Sequence, residues 1–210
     1  MKKYELTAEF IEKWGKKLFR IKALISFGSV EAGELGGYVE KEDNLAQTGN
    51  AWVSGDARVY GDAWVSGNAW VSGNARVYGN ARVYGDAEVY GDARVCGDAR
   101  VYGDARVYGD ARVCGDARVC GDAWVSGDAW VSGDAWVSGD ADYLLIGRIG
   151  SRFSFTTFFK NKDKGITVSC GCFLGTIAEF RAKVTDTHGN NKHAKMYNLA
   201  ADMAELQILG

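Results

Sequence analysis

The amino-acid sequence predicts a mainly β protein: a three-sided β-solenoid of hexapeptide repeats followed by a small α+β domain. Three observations predict it. From Gly49 to Ser138 the chain runs through fifteen consecutive hexapeptides without an insertion, each of the form Gly-[Asp/Asn]-Ala-[Arg/Trp/Glu]-Val-[Tyr/Ser/Cys]. The chain has 28 Gly and no Pro in 210 residues. After Ala141 the repeat ends and separate strand-like and helix-like segments begin. The expected division is therefore 1–48, 49–141 and 142–210.

Residues 1–48 are expected to form an N-terminal cap and an irregular first coil. Leu18, Phe19, Ile21, Leu24 and Ile25 supply apolar material, and Val39 and Leu45 stand six apart, so an imperfect coil is expected to begin near Val30. A solenoid needs such a segment, because an open last coil shows unpaired backbone and apolar interior.

The repeat sets the architecture of the middle. A period of six fits neither a 3.6-residue helix nor a heptad, but it fits a short strand plus a corner. Ala and Val are two apart and share the inward face, while the residue between them and the one after Val point out. Gly-Asp or Gly-Asn supplies the corner, since these residues tolerate unusual backbone angles. Three sides close an 18-residue coil, and five coils at strand spacing stand roughly 24 Å tall.

The C-terminal segment reads as strands at 143–146, 153–159 and 165–170, the last after a charged turn at 161–164. Thr176-Ile-Ala-Glu179 is a capping box opening a helix that buries Ile177, Phe180 and Val184, and Gly189 stops it. A second helix from about Lys192 carries Met196, Leu199, Ala200, Met203 and Leu206 on one face.

This pattern resembles the hexapeptide-repeat left-handed β-helix family. Val53, Val59 and Val65 hold its aliphatic position, and Ala57, Ala63 and Ala69 its small one. The resemblance implies a left-handed parallel β-helix and trimers packed side by side. The flanks, Leu-Gly-Gly-Tyr-Val-Glu-Lys-Glu-Asp-Asn-Leu at 35–45 and Val-Ser-Cys-Gly-Cys-Phe at 168–173, are similar to uncharacterised bacterial and prophage hexapeptide proteins. Those are often labelled transferases on the repeat alone.

Family enzymes that transfer acyl groups typically use a His as general base beside a loop that interrupts the coils. Here no His precedes His188 and no loop interrupts the hexads. Catalysis on the prism therefore lacks a base, and no catalytic residue or cofactor is expected. The favoured reading is a non-catalytic binding or scaffold protein whose C-terminal domain carries the specificity. An acyl- or nucleotide-sugar-dependent transferase is the alternative, and sequestration of a small nucleotide or sugar a second one.

The outward columns carry the candidate binding residues. Taking every third hexad, the first side shows Trp52, Trp70, Glu88, Arg106 and Trp124; the second Arg58, Arg76, Arg94, Arg112 and Trp130; the third Trp64, Arg82, Arg100, Arg118 and Trp136. Indoles left wet on a prism suggest contact with flanking domains, a subunit interface or a ligand platform. Trp52, Trp70, Trp124, Trp130, Trp136, Arg94 and Arg112 are the candidates. The first side, with three indoles, is the expected face of a homotrimer.

Cys170, Cys172, His188 and His193 form a C-x-C and an H-x4-H set. The spacing is poor for structural zinc, so no metal site is expected. With 25 basic and 27 acidic side chains, the net charge of −2 gives no global attraction to nucleic acid or a membrane surface. Neither a signal-peptide core nor a membrane-length apolar run is present, and cytoplasmic location is the expectation. Cys96 and Cys114, one coil apart, are then expected to be a reduced surface ladder with Cys120 one side over.

Overall fold

The computed structural model describes residues 1–210. Three N-terminal strands, β1 (Tyr4–Lys13), β2 (Lys16–Ala23) and β3 (Leu35–Val39), precede fifteen two-residue strands, β4 (Trp52–Val53) to β18 (Trp136–Val137). Four longer strands follow: β19 (Tyr143–Ile149), β20 (Ser154–Lys160), β21 (Ile166–Cys170) and β22 (Phe173–Thr176). Helices α1 (Ile177–His188) and α2 (Lys192–Ile208) complete the chain.

The short strands sort into three parallel ladders in which every residue pairs with the one eighteen positions away, as Arg94 does with Arg76 and Arg112. Each Val and Ala of the hexads lies at or within 1% of full burial, and together they form one continuous core. Every corner glycine from Gly49 to Gly133 has φ between +61° and +76°. At Gly103 an added Cβ would also meet the Gly121 nitrogen at 3.0 Å, so both dihedral and stacking demand glycine.

The ladders have a polarity that decides how the ends must close. Each coil's amides donate to the next coil's carbonyls, as Trp64 N–H does to Ala81 O at 2.9 Å and Asn68 N–H to Gly85 O at 2.8 Å. The first coil therefore presents bare carbonyls and the last bare amides, and buried backbone groups need partners.

At the N-terminal end β1 and β2 form an antiparallel hairpin, and β2 pairs antiparallel with β3, which joins the second side parallel to β5 (Arg58–Val59). Tyr38 N–H thereby covers Ala57 O at 2.9 Å. On the third side the amide of Asn44 donates to Gly61 O at 3.0 Å and Ala63 O at 2.8 Å. On the first side the Lys3 ammonium donates to Ala51 O at 2.8 Å and Gly49 O at 3.4 Å. Val39 and Leu45 do belong to an irregular first coil, Leu45 bridging to Val65. Val30 does not begin it: it bridges antiparallel to Phe27 within the cap.

The C-terminal end uses acceptors. Trp124 N–H donates to the Asp140 carboxylate at 2.8 Å, Trp130 N–H to Thr157 Oγ1 at 3.0 Å, and Ser138 N–H to Asp142 at 2.9 Å. Burial raises the Asp142 carboxyl pKa, but bonds from Lys160 and Ser138 outweigh that and hold it below the usual value.

Beyond this closure β19, β20, β21 and β22 form an antiparallel sheet in sequence order. Phe158, Val168, Phe180, Val184 and Tyr197 make its core with α1 and α2. The Thr176 capping box is formed, with Glu179 N–H donating to Thr176 Oγ1 at 3.2 Å. Ile177 is only half-buried, and β22 is a strand that the sequence reading did not mark out. In α2, Ala194, Tyr197, Ala200, Ala201, Ala204 and Ile208 face the core, whereas Met196, Leu199, Met203 and Leu206 are exposed.

Candidate functional site

Outside the core, residues eighteen apart stack in columns on the three sides. Tyr60 and Tyr78, Tyr84 and Tyr102, and Tyr90 and Tyr108 stack at 5.0–5.1 Å with planes within 3°. Trp14 extends the first of these onto Tyr60 at 5.1 Å, with the Arg76 guanidinium 5.0 Å from its ring. Cys96 and Cys114 are joined by a disulfide across 4.6 Å between Cα atoms, which replaces the expected reduced ladder. Parallel stacking at one-coil spacing brings their Cα atoms within the range a disulfide spans.

The indoles differ in how far the fold covers them. Trp52 is fully buried, edge-on to Phe27 at 5.4 Å and to Tyr4 at 6.4 Å, so it is core of the cap and unavailable as a surface. The sequence placed it outward because the repeat alone cannot show that the cap folds over it. Trp70 is half-buried beside Glu88 and Tyr90. Trp124, Trp130 and Trp136 are 41–44% exposed, each over the Arg one coil above: Arg106 at 5.0 Å, Arg112 at 5.8 Å and Arg118 at 5.6 Å.

Two of these pairs line grooves where the prism meets the C-terminal sheet. On the third side Trp136, Arg118 and Arg100 lie with Asp98, Asp116, Asp134 and Lys162 around about 470 Å³. Lys162 reaches Asp134 at 3.3 Å and anchors the wall. On the second side Trp130 and Arg112 share about 300 Å³ with Asp110, Asp128, Phe155 and Thr157. Of the sequence candidates, Trp136, Trp130 and Arg112 fall in these grooves, and Arg94 lies outside both. Arg100, Arg118 and Lys162 were missed, though the columns Arg100–Arg118–Trp136 and Asp98–Asp116–Asp134 were readable at an eighteen-residue step.

A third cavity of about 220 Å³ sits inside the C-terminal unit, lined by Arg152, Cys170, Cys172, Lys183, His188 and Tyr197 among others. His188 packs against both His193 and Tyr197 at 5.8 Å between centroids. Burial, then the neighbouring Cys170, pushes the Tyr197 hydroxyl pKa up. The cysteines and histidines do not converge as a ligand set: no group of three or more His, Cys, Asp or Glu side chains is placed to hold a metal ion.

A three-sided parallel ladder of six-residue steps, closed at each end by side chains, defines a β-solenoid repeat protein. Seven segments of the chain, 51–67, 69–85, 75–91, 93–109, 99–115, 111–127 and 117–133, match the family model described as YdcK Beta solenoid repeat. Each segment spans about one coil, and all lie within the prism. No curated protein matches the chain. No helix is long and apolar enough to cross a membrane.

Proposed function

We propose that the chain is a non-catalytic binding protein in which the solenoid is a rigid spacer and the groove beside Trp136 holds a saccharide or nucleotide-sugar ligand. The observation that carries this reading is the composition of that groove. A flat indole lies beside two guanidinium groups, an ammonium and three carboxylates, with no histidine or thiol among them. Indole faces stack on the C–H face of a sugar ring, and planar guanidinium and carboxylate groups pair with neighbouring hydroxyls. The near balance of cations and anions suits a polyhydroxyl ligand better than a bare polyanion.

No step of bond making is assigned to it. The prism carries no His and no interrupting loop, and the grooves offer hydrogen bonds and stacking rather than a nucleophile paired with a base.

The test is titration of the protein with a panel of oligosaccharides and nucleotide sugars, read by tryptophan fluorescence and calorimetry. A ligand whose affinity falls at least tenfold in Trp136→Ala, with melting unchanged, supports the reading. Absence of binding across the panel, or binding untouched by Trp136→Ala and Arg118→Ala, overturns it.

A further inference from the structure

The outer face of α2 is an apolar seam with no partner in the fold. Met196 is 38% exposed, Leu199 63%, Met203 56%, Leu206 77% and the adjoining Leu209 53%. The opposite face, with Ala194, Tyr197, Ala201, Ala204 and Ile208, is the one packed on the core. Met196, Leu199, Met203 and Leu206 are spaced three, four and three apart, which is the a–d–a–d step of a coiled-coil seam. Over two heptads sites at this spacing form one stripe along the helix, which a second helix can meet knob into hole.

We infer that this seam docks a second copy of the chain, α2 against α2, antiparallel about a twofold axis. The flanking charges select the partner and its direction. In the heptad that puts Met196 and Met203 at a, Lys195 and Asp202 fall at g, while the e positions are Ala200 and Gln207. An antiparallel pair places Met196 against Leu206 and Leu199 against Met203, and brings g beside g, so Lys195 of each copy meets Asp202 of the other. A parallel pair would set Lys195 beside Ala200 and Asp202 beside Gln207, with no attraction gained. Asp202 already holds Arg181 at 2.7 Å, yet its side chain is 56% exposed and has room for a second cation.

The area agrees. Five residues this exposed offer roughly 500 Å² of apolar surface per copy, so the pair would bury about 1,000 Å², where specific interfaces begin. A twofold contact of one face with itself also closes at two copies, since the seam is used up on both. This inference does not rest on the ligand groove, which lies on the prism.

Light scattering of the full chain at tens of micromolar tests it. The expected mass is twice 22.8 kDa. It should fall to the single-chain mass in the double variant Leu199→Glu, Leu206→Glu, with the circular dichroism spectrum retained, because both side chains are outside the core. A monomer or a trimer for the unmutated protein overturns the inference, as does a dimer that survives the double variant. Direction is read by charge exchange. Lys195→Asp and Asp202→Lys should each weaken the dimer roughly fivefold to tenfold, and the two together should restore it. Glu205 keeps Arg181 paired throughout, at 2.9 Å. Failure of the pair to restore the dimer overturns the antiparallel arrangement.

Discussion

Asn44 and Ala63 are joined by a hydrogen bond that stands in for a missing strand. The Asn44 amide donates to Ala63 O at 2.8 Å and to Gly61 O at 3.0 Å. The counterpart of Ala63 one coil lower, Ala81, accepts from the backbone amide of Trp64, and Gly61 is a corner carbonyl of the kind that accepts from a corner amide elsewhere, as Gly85 does from Asn68. This side chain thus covers two carbonyls of the third side, next to Val65 O, which accepts from Ala46 N–H at 2.9 Å, and it is fully buried while doing so. Asn44→Ala should leave both carbonyls bare and lower stability by about 2–3 kcal/mol. Asn44→Asp should cost more, since a carboxylate presents only acceptors to two carbonyls. Chemical denaturation of the three proteins checks the order; equal stability of all three would show that water closes this edge as well as Asn44 does.

The eighteen-residue register makes deletions strongly position-dependent. Removing residues 91–108 takes one strand from each side and rejoins Tyr90 to Gly109, so every remaining Val still stacks on a Val. The shortened chain should fold and melt cooperatively, at a temperature a few degrees lower because two coil–coil contacts become one. Removing only residues 91–96 shifts everything after it by one side. The C-terminal unit then turns to the next face relative to the N-terminal cap, while Trp124 and Arg106, both beyond the cut, stay eighteen apart and stacked. The residues lining both grooves also lie beyond the cut and move together, so that variant should keep the grooves and a β-type circular dichroism spectrum. Loss of ligand binding on the six-residue deletion, with the fold retained, would refute the location of the groove.

The prism was legible because its signal is redundant: Val and Ala recur fifteen times at one spacing, so a single misread hexad changes nothing. The columns followed from the same arithmetic, and β8 (Arg76–Val77) and its neighbours stack as that spacing requires. Contacts made by non-repeating segments were not legible. Trp52 has the sequence context of every outward Trp, and only the fold of Tyr4 and Phe27 over it makes it core. In α2 two stripes compete, and apolar strength pointed to Leu and Met. Burial instead follows the Ala-rich stripe, whose small side chains let the helix lie close to the sheet. Lys3 and Asn44 could be understood as caps only once the ladder polarity was known, since it is bare carbonyls that call for donors.

Lys3 gives that end a pH signature. The residue is 2% exposed, and burial lowers its pKa from 10.5 to about 8. Between those values the unfolded chain holds a proton that the folded chain has released, so stability rises with pH across the window. The gain should be about 1–3 kcal/mol between pH 8 and 10. Tyrosines oppose it further up. Burial raises the pKa values of Tyr4, Tyr60 and Tyr90, and a hydrogen bond with Cys120, then burial, pushes Tyr102 to about 12. These phenols ionise near 10 when unfolded, so stability falls as pH rises beyond that. Lys3→Met should abolish the rising limb and leave the falling one, measured by denaturation at pH 7 to 11. A rising limb retained in Lys3→Met would assign it to another group.

The disulfide between Cys96 and Cys114 is the feature most open to chemical test. It ties adjacent coils on the second side, in the column that Tyr60 and Tyr78 begin above it. Closing a loop of this length removes freedom from the unfolded chain worth roughly 2–3 kcal/mol, equivalent to about 5–10 °C in melting temperature for a chain of this size. The parallel ladder holds the two residues in place without the bond, so reduction should lower the melting point without unfolding the prism. Cys96→Ala with Cys114→Ala should melt where the reduced protein does, and reductant should not move it further. Thiol counting separates the oxidised from the reduced state directly. Cys120 is buried, Cys170 half-buried and Cys172 exposed, so Cys172 should label first in the native protein. Denaturation without reductant should then expose three thiols in all, and five after reduction. Five without reductant would mean that the pair is a reduced ladder in the purified protein, as a cytoplasmic location would keep it.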